Sequence, residues 1–129
     1  MAHATKGYLE HSAIFVKDMA WHIKFFEEAF GMGIRTKSTD GDKILQVWLE
    51  GGVQLTQKDD FCGDADCGFN HLGIMVEDLD KAVEAVYKYG VTEMPQGRNW
   101  VRLPEGIGIE IMQATGDSVA QALAVDPRK

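Results

Sequence analysis

Two short segments of the sequence carry the same four residue types at the same spacing. Residues 11–18 read His-Ser-Ala-Ile-Phe-Val-Lys-Asp, and residues 71–78 read His-Leu-Gly-Ile-Met-Val-Glu-Asp. His, Ile, Val and Asp therefore recur with an offset of 60, which is 71 − 11. A repeat of this kind indicates a duplicated structural unit with duplicated chemistry.

Each repeat also ends in an apolar segment that contains one polar acceptor. Gln54 is that acceptor in the first repeat, and Glu110 is its counterpart in the second. With His11 and His71 they supply two imidazoles, one amide oxygen and one carboxylate. This donor set suits a borderline divalent cation, so we predict one Zn²⁺, Ni²⁺, Co²⁺, Mn²⁺ or Fe²⁺ ion per site.

A cation held by these four side chains would leave positions for two adjacent oxygens of a small oxygenated carbonyl substrate. It would act as a Lewis acid and stabilise an enediolate formed by removing the proton beside the carbonyl. Gln54 cannot accept a proton at ordinary pH, so Glu110 is the predicted catalytic base. An epimerase would need a second acid or base, from Glu50 or another loop carboxylate.

Hydropathy patterns predict the elements that position these residues. In the first repeat, Tyr8–Val16 is a predicted strand, and Asp18 is suited to cap a following helix. Gly31 is suited to end that helix. Strands are expected near 34–37, 43–49 and 53–56. The predicted apolar stripe of the helix is Trp21, Phe25 and Ala29, widened by Ile23, Phe26 and Phe30.

The sequence of the second repeat predicts the same order of strands and helix. Phe69–Val76 is a strand, Asp78 caps a helix, and Gly90 ends it. Strands follow near 91–94, 99–103 and 107–112, and a terminal helix is expected within 117–125.

The pattern predicts an α+β fold in which two β-α-β-β-β modules form a curved mixed sheet around a metal cleft. Residues 1–129 are predicted to be one domain, with module one at about 8–57, module two at about 69–113, and a tail at 114–129. Strand alternation places His11 on one face with Ala13, and His71 on one face with Gly73. Small residues beside the ligands would leave room for a substrate.

Composition excludes several classes of partner. The net charge is −7 and no block of Lys and Arg stands out, so neither nucleic acid nor an anionic membrane is an expected partner. Apolar runs are far shorter than the roughly 20 residues that span a bilayer, and no secretory core is visible near the N-terminus. We therefore expect a cytoplasmic protein. Cys62 and Cys67 have no second pair, so we read them as reduced thiols.

The motifs resemble those of the vicinal oxygen chelate superfamily. The resemblance covers roughly residues 8–113 and rests on residues 11–18, Val53-Gln-Leu-Thr56, Phe69-Asn-His-Leu-Gly-Ile-Met-Val76 and Pro104-Glu-Gly-Ile-Gly-Ile-Glu110. The superfamily includes glyoxalase I, methylmalonyl-CoA epimerase, extradiol dioxygenases, fosfomycin resistance enzymes and metal-free bleomycin-binding proteins. The resemblance implies paired β-α-β-β-β modules, and metal ligands at His11, Gln54, His71 and Glu110.

Individual positions separate the member activities. The set His, Gln, His, Glu resembles methylmalonyl-CoA epimerase, and it is one Glu-to-Gln change from bacterial glyoxalase I. Phe15 and Lys58 stand where glyoxalases place an Arg and an Asn that grip glutathione, and Trp100 replaces the acid–base Tyr of dioxygenases. Ala13 stands where fosfomycin transferases place a Thr. We therefore predict a glyoxalase-like lyase or isomerase without naming a thiol, and disfavour the dioxygenase.

Two alternatives stay open at this point: an enzyme like methylmalonyl-CoA epimerase, which lacks a recognisable CoA-contacting segment here, and a metal-free binding protein of the bleomycin-resistance type. A homodimer is also expected, because a small open sheet leaves edges to pair. Predicted substrate contacts are Phe15, Trp48, Met75, Arg98, Asn99, Trp100 and Arg102.

Overall fold

The computed structural model describes residues 3–63 and 67–125. It confirms the α+β fold and the repeated element order. The first module consists of β1 (Gly7–Val16), α1 (Met19–Phe30), β2 (Ile34–Asp40), β3 (Lys43–Leu49) and β4 (Val53–Gln57). The second consists of β5 (Phe69–Val76), α2 (Leu79–Val86), a one-turn 3-10 helix (Tyr87–Tyr89), β6 (Thr92–Met94), β7 (Gly97–Arg102) and β8 (Gly108–Gln113), and α3 (Ser118–Ala124) follows.

The chain divides into two compact units. The first unit is His11–Asn70, and the second unit contains the residues up to Glu10 together with those from His71 onward. In the first unit the strand order is β2-β3-β4-β1, and in the second it is β5-β8-β7-β6. In each unit the first and last strands of the module pair in parallel, and the remaining neighbours pair antiparallel.

Aspartate side chains begin both module helices, as predicted. Asp18 Oδ1 accepts a hydrogen bond from the Trp21 N–H at 3.1 Å, and Asp78 Oδ1 accepts one from the Lys81 N–H at 3.1 Å. Each carboxylate satisfies an N–H that has no partner within its own helix. Gly31 ends α1 with a φ of 69°, a left-handed conformation that costs glycine little.

Each unit has its own hydrophobic core between its helix and its strands. The core side chains come from the aliphatic faces of the strands, so the polar acceptors lie on the opposite face. The first core contains Val16, Met19, Val47, Leu49 and Leu55. The second contains Val76, Ala82, Val101 and Ile111.

The predicted apolar stripe of α1 is wrong in part. Trp21, Phe25 and Phe30 are 56%, 39% and 64% exposed. The helix instead packs Met19 and residues 23 and 26 onto the first core. Both sets follow helical spacing, so periodicity alone could not choose between them.

A glutamine at the end of each module ties the last strand to the start of the helix. Gln57 Nε2 donates to the Lys17 carbonyl at 2.7 Å, and Gln113 Nε2 donates to the Glu77 carbonyl at 2.8 Å. Gln113 Oε1 also accepts from the Leu79 N–H at 2.9 Å. The strands that carry Gln54 and Glu110 are therefore both tied to the residue before the helix N-cap, and Gln113 in addition caps its helix.

Among residues 3–63 and 67–125, no helix combines the length and the apolar character needed to cross a membrane.

We expect Gln113→Ala to lower the free energy of unfolding by about 1–2 kcal/mol, because it removes three side-chain hydrogen bonds and uncovers a helix N–H. Gln57→Ala should cost less, since Gln57 does not cap its helix. Gln121→Ala is the control, because its bond joins α3 only to Asp117, the residue before its first turn, and should contribute only about 0.3 kcal/mol. Urea denaturation measures all three, and equal losses in Gln57→Ala and Gln113→Ala would contradict the capping role.

Candidate metal centre

The first unit places His11 and Gln54 on adjacent parallel strands. The β1–β4 register pairs Ala13 with Gln54, so both side chains lie on the face away from the core. They are buried, with 4% and 3% exposure. Gln54 Oε1 has no hydrogen-bond partner among the described residues. Proteins rarely bury a polar atom in this way, so the amide oxygen is suited to bind a ligand.

The second unit repeats this arrangement with His71 and Glu110. The β5–β8 register pairs Gly73 with Glu110. His71 is 4% exposed, and its Nε2 lies 3.5 Å from Glu110 Oε1. A carboxylate in such partly buried surroundings needs a positive or hydrogen-bonding partner. A nitrogen and an oxygen donor thus lie side by side on one face of the second unit.

Each acceptor also faces a tryptophan across an antiparallel strand pair. Trp48 is the register partner of Gln54, and Trp100 is the register partner of Glu110. The Trp100 and His71 ring centroids are 4.6 Å apart, and the ring planes meet edge to face at 65°. The sequence alone did not reveal that each acceptor pairs with a tryptophan. The number of residues between the tryptophan and the acceptor differs between the two modules.

The other predicted aromatic and thioether contacts lie near these pairs within their own units. Phe15 is half-buried on β1 and pairs with Thr56. Met75 is half-buried on β5 and pairs with Met112. Their roles as substrate contacts stay predictions.

Three predicted contacts of β7 are held by other protein groups. The Arg98 guanidinium lies 4.2 Å from the centroid of the Tyr87 ring. Asn99 Nδ2 donates to the Ile111 carbonyl at 2.9 Å, and Arg102 Nη1 donates to the Gly106 carbonyl at 2.8 Å. A substrate would have to compete with these contacts, so their roles also stay predictions.

Thr56 is a polar residue of this face that the sequence analysis did not select. It follows Gln54 by two positions on β4 and so shares its face. Its Oγ1 is buried and has no hydrogen-bond partner among the described residues. The available signal was the spacing of two from Gln54. Glu50, the suggested second acid or base, is exposed in the turn between β3 and β4.

The residues present fit a divalent cation by their chemistry. Each unit supplies one buried imidazole and one neighbouring oxygen donor, and the amide oxygen of Gln54 has no other partner among the described residues. Nitrogen and oxygen donors together are typical ligands of Zn²⁺, Ni²⁺, Co²⁺, Mn²⁺ and Fe²⁺. We expect no preference for Mg²⁺ or Ca²⁺, which favour oxygen ligands alone.

Comparison with solved structures finds the same fold in several proteins. Methylmalonyl-CoA epimerase from Mycobacterium tuberculosis is 20% identical with a TM-score of 0.59, over 87% of this chain and 91% of the epimerase chain. A hypothetical protein from Bacillus halodurans C-125 is 14% identical with a TM-score of 0.65, over 85% of this chain and 96% of the other. These identities establish similarity of fold alone.

A third similar structure is the 2,3-dioxygenase LapB from Pseudomonas sp. KL28. It is 17% identical with a TM-score of 0.60, over 82% of this chain and 42% of the dioxygenase chain. No curated protein matches the sequence significantly.

The family comparison is more specific than the structural ones. The model of the Glyoxalase/Bleomycin resistance protein/Dioxygenase superfamily matches residues 8–101, which is well over half of the chain. The matched range contains His11, Gln54 and His71, which are three of the four predicted ligands. This chain therefore belongs to the Glyoxalase/Bleomycin resistance protein/Dioxygenase superfamily.

Proposed function

We propose that the protein is a divalent-metal-dependent, glyoxalase-like lyase or isomerase that moves a proton at a carbon beside a carbonyl group. The observation that carries the proposal is the contact between the buried His71 and the half-buried Glu110, with Nε2 and Oε1 3.5 Å apart, and its counterpart His11 and Gln54 in the other unit. We propose that these four side chains bind one cation. Membership of a superfamily that contains metal enzymes supports this assignment.

The proposed chemistry divides between the cation and the protein. A bound divalent cation supplies Lewis acidity, which stabilises negative charge on substrate oxygens. Glu110 is the one carboxylate of the four donors, so it is the proposed group that accepts the proton. Gln54 stays neutral and contributes an oxygen without competing for that proton. Trp100 packs edge-on against His71 and limits the movement of its ring.

A second candidate is an epimerase that resembles methylmalonyl-CoA epimerase. The specific observation in its favour is Gln54, whose Oε1 is buried without a hydrogen-bond partner among the described residues. The proposed ligand set His, Gln, His, Glu resembles that of methylmalonyl-CoA epimerase. A structure of that enzyme is among those with the same fold. Epimerisation would require a second acid or base, which we do not assign.

We propose a small molecule as the partner, and the cytoplasm as the location. The net charge of −7 disfavours nucleic acid. Cys62 and Cys67 are exposed and form no disulfide among the described residues, which is typical of proteins in reducing compartments.

We expect protein purified without chelator, or reconstituted with Ni²⁺ or Co²⁺, to bind about one ion per chain by elemental analysis. Binding to the folded state alone should stabilise it by about 2.7 kcal/mol at a concentration of 100 Kd. His11→Ala and His71→Ala should each abolish that stabilisation. His22→Ala is the matched control, because His22 is a histidine of α1 whose Nδ1 lies 2.6 Å from the Asp18 carbonyl oxygen and which is not among the proposed ligands.

A metal content below about a tenth of an equivalent after reconstitution would contradict the proposal, given the tight binding expected of such donors. That result would favour the alternative in which the protein binds a small molecule without a metal, as bleomycin-resistance proteins do.

We expect Glu110→Gln to keep the fold and to lower proton exchange into the substrate by about 10²–10⁴-fold, because the amide cannot act as a base. Exchange is measured by deuterium incorporation after a substrate screen with hemithioacetals, acyl-CoA epimers and catechols side by side. Glu105→Gln is the control, since Glu105 is exposed in the turn before β8. Unchanged exchange in Glu110→Gln would remove Glu110 as the base, and epimer interconversion would select the second candidate.

We also propose a homodimer. Every residue of the edge strand β2 is exposed, and α1 exposes Trp21 and Phe25, whose rings stack with centroids 5.1 Å apart. Light scattering should give twice the chain mass, and Phe25→Glu should reduce it to a monomer, because a charge disfavours apolar contact. Tyr89→Glu, at a 76% exposed position, is the control. A wild-type monomer at all concentrations would contradict the dimer.

A further inference from the structure

A groove, here the α1 groove, runs between helix α1 and the strands of the first unit, on the core side of the sheet. Its volume is about 660 Å³, which is within the range of sites that hold small molecules. Its apolar lining is entirely aliphatic and consists of Met19, Ala20, Ile23, Ile34 and Ile44. Apart from Met19 these side chains are half-buried or exposed, so apolar surface stays in contact with water. A ligand that covers this surface would gain hydrophobic stabilisation.

The polar groups of the α1 groove offer acceptors to a ligand. Glu27 of α1 and Asp42 of the β2–β3 turn carry carboxylates that make no hydrogen bond or ion pair within the described part of the chain. Gln57 of β4 donates through Nε2 to the Lys17 carbonyl and to Asp59 Oδ1, so the amide atom that remains for a ligand is Oε1. The rim therefore matches an occupant that donates hydrogen bonds and carries positive charge.

The two lysines that line the α1 groove already have acidic partners. Lys43 Nζ donates to Asp59 Oδ2 at 2.7 Å, and this hydrogen bond lowers the pKa of Asp59. Lys24 Nζ lies 4.0 Å from Glu28 Oε1, one turn further along α1. These pairs balance the two ammonium charges, so the negative charge left at the rim is that of the two unpaired carboxylates.

The second unit has a groove at the equivalent place, and its composition supports this interpretation. Its volume is about 450 Å³. Four residues of its helix correspond to four of the α1 groove at the offset of 60: Leu79, Asp80, Val83 and Glu84. A further lining residue is Arg98, whose guanidinium lies 4.2 Å from the centroid of the Tyr87 ring. The second module thus supplies its own cation to an acidic groove, whereas both cations of the α1 groove are already paired.

We propose that the α1 groove is a binding site for an aliphatic primary amine in its protonated form. The apolar lining takes the alkyl chain, and the ammonium donates to the two carboxylates and to the amide oxygen of Gln57. A compact ammonium has three rotatable donors, which suit three acceptors on three different elements better than the flat fork of a guanidinium does. The site is separate from the proposed metal ligands of this unit, His11 and Gln54, which lie on the other face of the sheet.

The test measures by calorimetry, at pH 7, the binding of four probes with the same eight-carbon chain. The probes are octylammonium, octylguanidinium, octanol and octanoate, each below its micelle concentration. We expect octylammonium to bind about tenfold more tightly than octanol, because each exposed carboxylate should contribute about threefold. Octanoate should bind more weakly than octanol, since the rim repels it. High salt should reduce the advantage of the ammonium, and added Co²⁺ should not alter it.

Charge-removing variants assign this advantage to the rim. Glu27→Gln and Asp42→Asn should each lower the affinity for octylammonium about threefold and leave the affinity for octanol unchanged. Both positions are exposed, so the fold should be retained. Glu84→Gln is the matched control, because Glu84 is an exposed carboxylate of the equivalent groove in the second unit.

A second pair of variants locates the alkyl chain. Ala20→Phe places a large side chain in the α1 groove at an exposed helix position, so it should abolish the binding of every probe. Asp80→Phe is the control, because Asp80 is exposed at the corresponding position of α2. Circular dichroism checks that both variants fold.

The contrary outcomes are distinct. Equal affinity of the wild type for octylammonium, octanol and octanoate would overturn the site, because the rim would then select no charge. Tighter binding of octylguanidinium would overturn the ammonium assignment. Loss of binding in Phe25→Ala but not in Ala20→Phe would place the probes on the exposed aromatic side chains of α1, and a requirement for Co²⁺ would place the amine at the metal. Failure of every probe to bind would overturn the site and leave the proposed function untouched.

Discussion

The parallel pairing of the first and last strands within each module is the constraint on which the rest depends. It sets Gln54 beside Ala13 and Glu110 beside Gly73, two positions after the histidine in each case. A shift of one residue would turn every acceptor towards the aliphatic core, because side chains alternate between the faces. The aliphatic core on one face and the polar donors on the other are therefore two results of a single register.

Much of this arrangement was readable from the sequence. The repeated strand and helix-cap motif predicted both modules, and Asp18 and Asp78 act as predicted. Alternation correctly placed Gln54 and Glu110 opposite the aliphatic residues, because the period of two is fixed by strand geometry. These inferences worked because they depend on local geometry.

Other features depend on tertiary packing, which a periodic pattern does not encode. Trp21 and Phe25 repeat as a buried stripe would, yet the helix turns Met19 to the core. The tryptophan opposite each acceptor was hidden by unequal turns, and strand alternation alone did not mark Thr56 as a site residue. Its significance comes from the absence of a hydrogen-bond partner among the described residues, which only the folded structure reveals.

The Gln113 side chain has a consequence for motion. It joins the first amide of α2 to β8, and Glu110 lies on that same strand. Fraying of the helix end and slippage of the strand are therefore coupled events within one cooperative unit. Amide hydrogen exchange at Leu79 would thus report, at a distance in the sequence, on how firmly the carboxylate of Glu110 is held.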